Sequence, residues 1–119
     1  MITKLKNWSL AFTSIALLAP AIVSAHVVVN PSQIGIGAEQ TFTISVPNEK
    51  QSNVTRLKLL IPAGLSDLSP TVKPGWQIQA DTTGSGDSAV VTAVTWSGGT
   101  IPVGQRDDFS FSAQAPAKA

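Results

Sequence analysis

Glu39-Gln40-Thr41-Phe42-Thr43-Ile44-Ser45-Val46 alternates strictly, with Phe42, Ile44 and Val46 on one face and Thr41, Thr43 and Ser45 on the other. A period of two marks a half-buried strand, because successive side chains of an extended backbone point to opposite sides. The pattern recurs outward along the chain. Residues 26–30 are a β-branched run closed by Pro31. Residues 53–61 set Leu57, Leu59 and Ile61 against Arg56, Lys58 and Leu60. Trp76, Ile78 and Ala80 alternate with Gln77 and Gln79, residues 88–96 are rich in Val and Thr, and Phe109, Phe111 and Ala113 alternate with serines. Turn chemistry separates these runs: Pro62-Ala63-Gly64, Lys73-Pro74-Gly75, Gly84-Ser85-Gly86, Ser97-Gly98-Gly99 and Pro102-Val103-Gly104. Such clusters supply fixed or positive-φ positions. No stretch after residue 25 carries a 3.6-residue period. Six or seven short strands in about 90 residues predict an all-β, immunoglobulin- or fibronectin-like antiparallel β-sandwich. Trp76, Trp96, Phe42, Phe109 and Phe111 are its expected core.

Composition narrows the function. The chain has 119 residues, 43% of them hydrophobic and 13% charged, which suits one folded domain rather than a disordered chain. Its formal net charge of +1 gives no basic face for nucleic acid. There is no cysteine, so disulfides, thiolate metal sites and cysteine nucleophiles are excluded. There is one histidine and no tyrosine.

Residues 1–25 read as a cleaved secretory signal peptide. Lys4 and Lys6 give a positive start, an uncharged and mostly apolar stretch runs from Ser9 to Pro20, and Val23-Ser24-Ala25 supplies small residues for cleavage. The apolar run is short of the roughly 20 residues that a membrane span needs. Cleavage after Ala25 leaves a domain of residues 26–119 with six basic and seven acidic side chains, and no membrane span. The expected location is the periplasm or the exterior of a bacterial cell. It also makes His26 the first residue, so the sole histidine carries a free α-amine.

An N-terminal histidine is a ready-made chelate, since the α-amine and the imidazole Nδ1 close a six-membered ring on one metal ion. These groups ordinarily titrate near ~7.7–8.0 and ~6.5, so a metal displaces their protons around neutrality. Nitrogen donors in a flat arrangement suit Cu(II), which also tops the divalent affinity order. Residues 26–119 hold neither Cys nor Met, so further protein ligands are carboxylate, carbonyl or backbone nitrogen. If residues 26–30 and 39–46 pair antiparallel, Asn48 and Glu49 come beside His26. Glu39 then lies roughly 20–30 Å away at ~3.4 Å per residue. Glu49 is the better candidate on this geometry, while Asp107 and Asp108, which also precede a strand, stay open. The ordinary roles for these residues are a chance residue at a cleavage site for His26, a solvated turn acid for Glu49 and core packing for Trp76 and Trp96.

Catalytic constellations are poorly served. A Ser/His/Asp triad is disfavoured because the sole histidine stands at the mature terminus, a two-histidine copper brace needs a second histidine the chain does not have, and Gly84-Ser85-Gly86 lacks the Lys-Ser/Thr and helix of a phosphate loop. The expectation is a protein that is not an enzyme.

Several segments, taken together and in order, resemble a known family. They are His26-Val27-Val28-Val29-Asn30-Pro31, Phe42-Thr43-Ile44-Ser45-Val46-Pro47-Asn48-Glu49-Lys50, Thr55-Arg56-Leu57-Lys58-Leu59, Lys73-Pro74-Gly75-Trp76, Val94-Thr95-Trp96-Ser97-Gly98-Gly99 and Phe109-Ser110-Phe111. The set is similar to the YcnI-like family of exported copper-binding domains, also described as DUF1775. The resemblance covers nearly all of residues 26–119. It implies an immunoglobulin-like sandwich outside the cytoplasm and a Cu(II) site in which His26 forms a single-histidine brace completed by a glutamate, which falls on Glu49. It also implies a tryptophan near the metal, on a strand beyond Phe109-Ser110-Phe111-Ser112-Ala113. The sequence given ends at Ala119 without that strand, which makes it C-terminally truncated relative to the family, and Trp96 stands as the candidate in place of the missing ring. The expected function is Cu(II) binding in copper trafficking or homeostasis, with a copper chaperone or a membrane copper importer as partner. The alternative is a metal-independent adhesion or envelope-assembly module on the same sandwich. A copper-dependent redox enzyme is the weakest of the three readings, given the lone histidine.

Overall fold

The computed structural model describes residues 27–117, together with the backbone of three earlier strands, β1 (Ile2–Lys4), β2 (Lys6–Ala11) and β3 (Ser14–Leu18). After these come β4 (Val28–Asn30), β5 (Gln33–Gly35), β6 (Glu39–Pro47), β7 (Val54–Leu60), β8 (Ser66–Pro70), β9 (Gln77–Thr83), β10 (Val90–Ile101) and β11 (Arg106–Gln114). One turn of 3₁₀-helix, Gly86–Ser88, precedes β10. Among the described residues no helix is long and apolar enough to cross a membrane.

Two sheets face each other. One has the order β4-β6-β11-β8 and the other β1-β7-β10-β9. Every pairing is antiparallel except that of β1, which lies parallel on the outer edge of β7. A third, three-stranded sheet joins β2, β3 and β5. Residues of the expected leader thus pair with the free edges of β7 and β5, where backbone donors and acceptors would otherwise lack strand partners.

The alternation of the sequence becomes the core. Phe42, Ile44 and Val46 from β6, Leu57 and Leu59 from β7, Trp96 from β10, and Phe109 and Phe111 from β11 are all buried, while the threonines and charged residues between them face out. Phe42 and Phe111 are direct cross-strand partners and stack with ring centroids 5.2 Å apart. Trp96 reaches from the opposite sheet to Phe109 at 5.5 Å, locking the two layers together. Its indole N–H is buried without an acceptor among the described residues.

Three expectations need correction. Ser97-Gly98-Gly99 does not end a strand: β10 continues through it to Ile101, and the glycines form an irregularity where the register against β7 shifts between Ser97 and Ile101. Gly98 takes φ +86°, a left-handed backbone that favours glycine. Trp76 packs against the core but is only partly buried. β5 and β8 are additional strands, and β8 carries the non-glycine positive φ found among the described residues, Asp67 at 51°.

Candidate functional site

The end of the sandwich where β4 begins is built from three converging pieces. Val28 pairs with Ser45 and Val29 with Ile44, so β4 starts beside the finish of β6. On the other side of β6, Arg106 pairs with Pro47, so β11 also starts here. β10 finishes here at Ile101, since its partner on β7 is Val54, the first residue of that strand. The loop leaving β6 carries Asn48, Glu49 and Lys50.

Asn48 is the buried polar residue among the described ones, at 2% exposure. Its side-chain amide donates to the carbonyl oxygens of Ser52 and Ile101, both at 2.9 Å. Its Oδ1 accepts from the Lys50 N–H at 2.9 Å, closing an Asx turn over Glu49. Its own backbone N–H donates to the Gln105 carbonyl at 2.8 Å, and its carbonyl accepts from Gly104 N–H at 3.0 Å. Residues 48–52 are thus stitched to the turn 102–105, where Gly104 at φ +78° supplies the left-handed backbone.

Next to this loop, Lys73 donates to Asp107 at 2.5 Å and holds its ammonium 5.2 Å from the centroid of the Phe109 ring. Trp76 meets Phe109 edge-on at 5.0 Å. The Trp76 ring lies on Gly99, where a Cβ would come within 2.1 Å of the indole, so only glycine admits this approach. The turn that delivers Lys73 and Trp76 is closed by the Trp76 N–H to the Lys73 carbonyl at 3.0 Å. Arg106 bonds the Ser45 hydroxyl at 2.5 Å and pairs with Asp108.

His26 lies outside the described residues, two positions before the start of β4. Glu49 is exposed in the loop that leaves β6, at the same end as the start of β4. Glu39 sits at the far end of β6, opposite Gln114. Asp107 and Asp108, both open alternatives from the sequence, are engaged by Lys73 and Arg106. Trp96 is fully buried against Phe109 rather than set in a loop. Among the described residues no three of His, Cys, Asp and Glu come together. Asn48 is the residue whose structural weight sequence reasoning missed. Its signal is a short amide directly after a strand and two residues before a turn lysine, which fits an Asx turn, but its long-range partner Ile101 leaves no local mark.

The opposite end differs. A cavity of about 340 Å³ opens there between the start of β8 and the start of β10. Leu65, Leu68 and Val91 form its apolar part, and Asp67 and Asp87 contribute polar groups.

Architecture alone defines an all-β, immunoglobulin-like sandwich. A solved structure of a protein from Nocardia farcinica, described as having an immunoglobulin-like fold, superposes with a TM-score of 0.59 at 21% identity, over 78% of this chain and 67% of that one. The chain belongs to the family described as Domain of unknown function (DUF1775), whose model matches residues 26–119. It is also 37% identical, over 103 residues, to the copper-binding protein CutI of Bacillus subtilis (strain 168), a match spanning 85% of this chain and 48% of CutI. The chain thus spans about half the length of that curated relative.

Proposed function

We propose that this is an exported Cu(II)-binding protein of copper trafficking or homeostasis, and not an enzyme. The carrying observation is the register of β4 on β6. In it Val28 pairs with Ser45, so β4 begins at the end of the sandwich where the loop bearing Glu49 leaves β6. Removal of residues 1–25 then gives His26 an α-amine and an imidazole that chelate one Cu(II), and Glu49 adds a carboxylate oxygen. This donor set of two nitrogens and one oxygen matches the borderline preference of Cu(II). The name of CutI, a copper-binding protein in the same family, supports the same cargo. Copper held by one residue pair and one carboxylate at an exposed end suits hand-over to a copper chaperone or membrane importer, in the periplasm or outside the cell.

The test uses protein recovered from the exported fraction. Mass spectrometry should find His26 as its first residue, and calorimetry should find one Cu(II) per chain. One additional residue ahead of His26 moves the amine out of chelating position. Affinity should then fall by roughly a hundredfold, about 2.8 kcal/mol at 1.4 kcal/mol per decade. Equal affinity for the two N-termini would remove the brace and leave the sandwich as a metal-independent module.

A further inference from the structure

We propose that Asn48 is a positioning residue for Glu49, holding the turn that presents this carboxylate at the end of the sandwich where β4 begins; the inference rests on the reading of Glu49 as a copper ligand. Glu49 is the middle residue of the Asx turn, and both peptide groups that flank it are fixed. The group before it is held by Gly104 N–H on the Asn48 carbonyl at 3.0 Å, and the group after it by Lys50 N–H on Asn48 Oδ1 at 2.9 Å. With both peptide planes fixed, the φ and ψ of Glu49 are set, and so is the direction of its Cα–Cβ bond.

The side chain of Asn48 is chosen for this geometry. Both amide protons are used, on Ser52 and Ile101, and the oxygen accepts from Lys50. Aspartate offers no donors, serine offers one, and glutamine is a methylene too long for the turn. A polar group at 2% exposure is costly unless fully bonded. An exposed loop of ordinary solvated residues needs no such anchor. Its effect is to transmit the rigidity of β10, through Ile101, to the acid-bearing turn. Partners that orient a ligand without touching the metal are a general feature of metal sites.

The experiment uses exported protein with a free His26 and compares Asn48→Ala, Glu49→Gln and the double variant. All are measured at a temperature where the metal-free forms are folded. Three quantities are read: Cu(II) affinity by competition with a chelator, the electron paramagnetic resonance spectrum of the Cu(II) form, and amide hydrogen exchange at Lys50 in metal-free protein. Asn48→Ala should weaken Cu(II) binding about tenfold, in the range found for residues that orient ligands. It should shift the spectrum toward that of Glu49→Gln, speed exchange at Lys50, and add nothing to the loss in the Glu49→Gln background. Parental affinity and spectrum in Asn48→Ala would overturn the inference while leaving the ligand reading intact, and so would an equal further loss in the double variant. Parental affinity in Glu49→Gln would instead bring down the ligand reading and this inference with it. Asn48→Ser, which keeps an oxygen for the Lys50 N–H, takes the same measurements if Asn48→Ala does not fold.

Discussion

The two ends of the sandwich are finished in different ways. At the end where β4 begins, three hydrogen bonds of the buried Asn48 tie the loop 48–52 to 101–105, and two more of its bonds close the loop on itself. At the other end, the connections 61–65 and 84–89 flank an open cavity, and Asp67 sits in left-handed backbone. Both ends rest on the same two sheets and the same aromatic core. Both ends carry long-range backbone bonds, at the far end Gly37 N–H to the Pro116 carbonyl and Ala115 N–H to the Ala38 carbonyl, both at 2.9 Å; what separates them is that at one end a buried side chain completes the bonding of the loop, while at the other the 3₁₀ turn is closed by short-range bonds, such as Ser88 N–H to the Ser85 carbonyl at 3.1 Å. The knitted end is also the end that offers Glu49. On the proposed reading of Glu49 as a copper ligand, this rigidity favours binding, because ordering a loop beforehand removes that entropy from the binding step.

The sharpest way to break this contrast is to strike the anchor shared by the knitted end. Phe109 touches Trp76, Trp96 and the Lys73 ammonium, so Phe109→Ala should cost about 3–5 kcal/mol in urea unfolding. A loss under 1 kcal/mol would show that the aromatic cluster is not a keystone. Asn48→Ala leaves the Ile101 carbonyl without its donor and should cost about 2–3 kcal/mol. Gly99→Ala drives a methyl into the Trp76 ring and should cost about 1–3 kcal/mol, with a change in Trp76 fluorescence that marks its displacement. The smallest effect belongs to the open end. Asp67→Gly removes left-handed strain and should stabilise by up to about 1 kcal/mol, since the αL penalty slightly exceeds the added freedom of the unfolded chain. If Asp67→Gly proved as damaging as Asn48→Ala, the two ends would be equivalent and the contrast would fall.

Much of this was legible from pattern. Alternation in β6, in β11 from Phe109 and in β7 from Leu57 marked strands and the core faces together, because one face of each is sealed against the opposite sheet. The antiparallel return of β6 toward β4 put Glu49 at the end where β4 begins from chain direction alone. The unread features are those in which local chemistry and tertiary context disagree. Ser97-Gly98-Gly99 has the composition of a turn, yet strand pairing on both sides of β10 and the need to seat Trp76 on Gly99 keep it extended and bulged. β8, with Ser66-Asp67-Leu68-Ser69-Pro70, has little alternation because it is an edge strand paired only with β11. Asn48 looked like an ordinary loop residue, since the bond that gives it weight spans 53 positions.

The placement of Trp76 and Trp96 on either side of one phenylalanine has an optical consequence. One indole is sealed from solvent and bonded to nothing, so its excited state relaxes little and it emits toward the blue; the other, half in water, emits toward the red. Selective excitation of the red component follows the Lys73–Trp76 turn, while the blue component follows the seam between the sheets. Residues 26–119, which leave out Trp8, therefore carry a two-colour gauge of their own, able to tell a loop that loosens from a domain that melts.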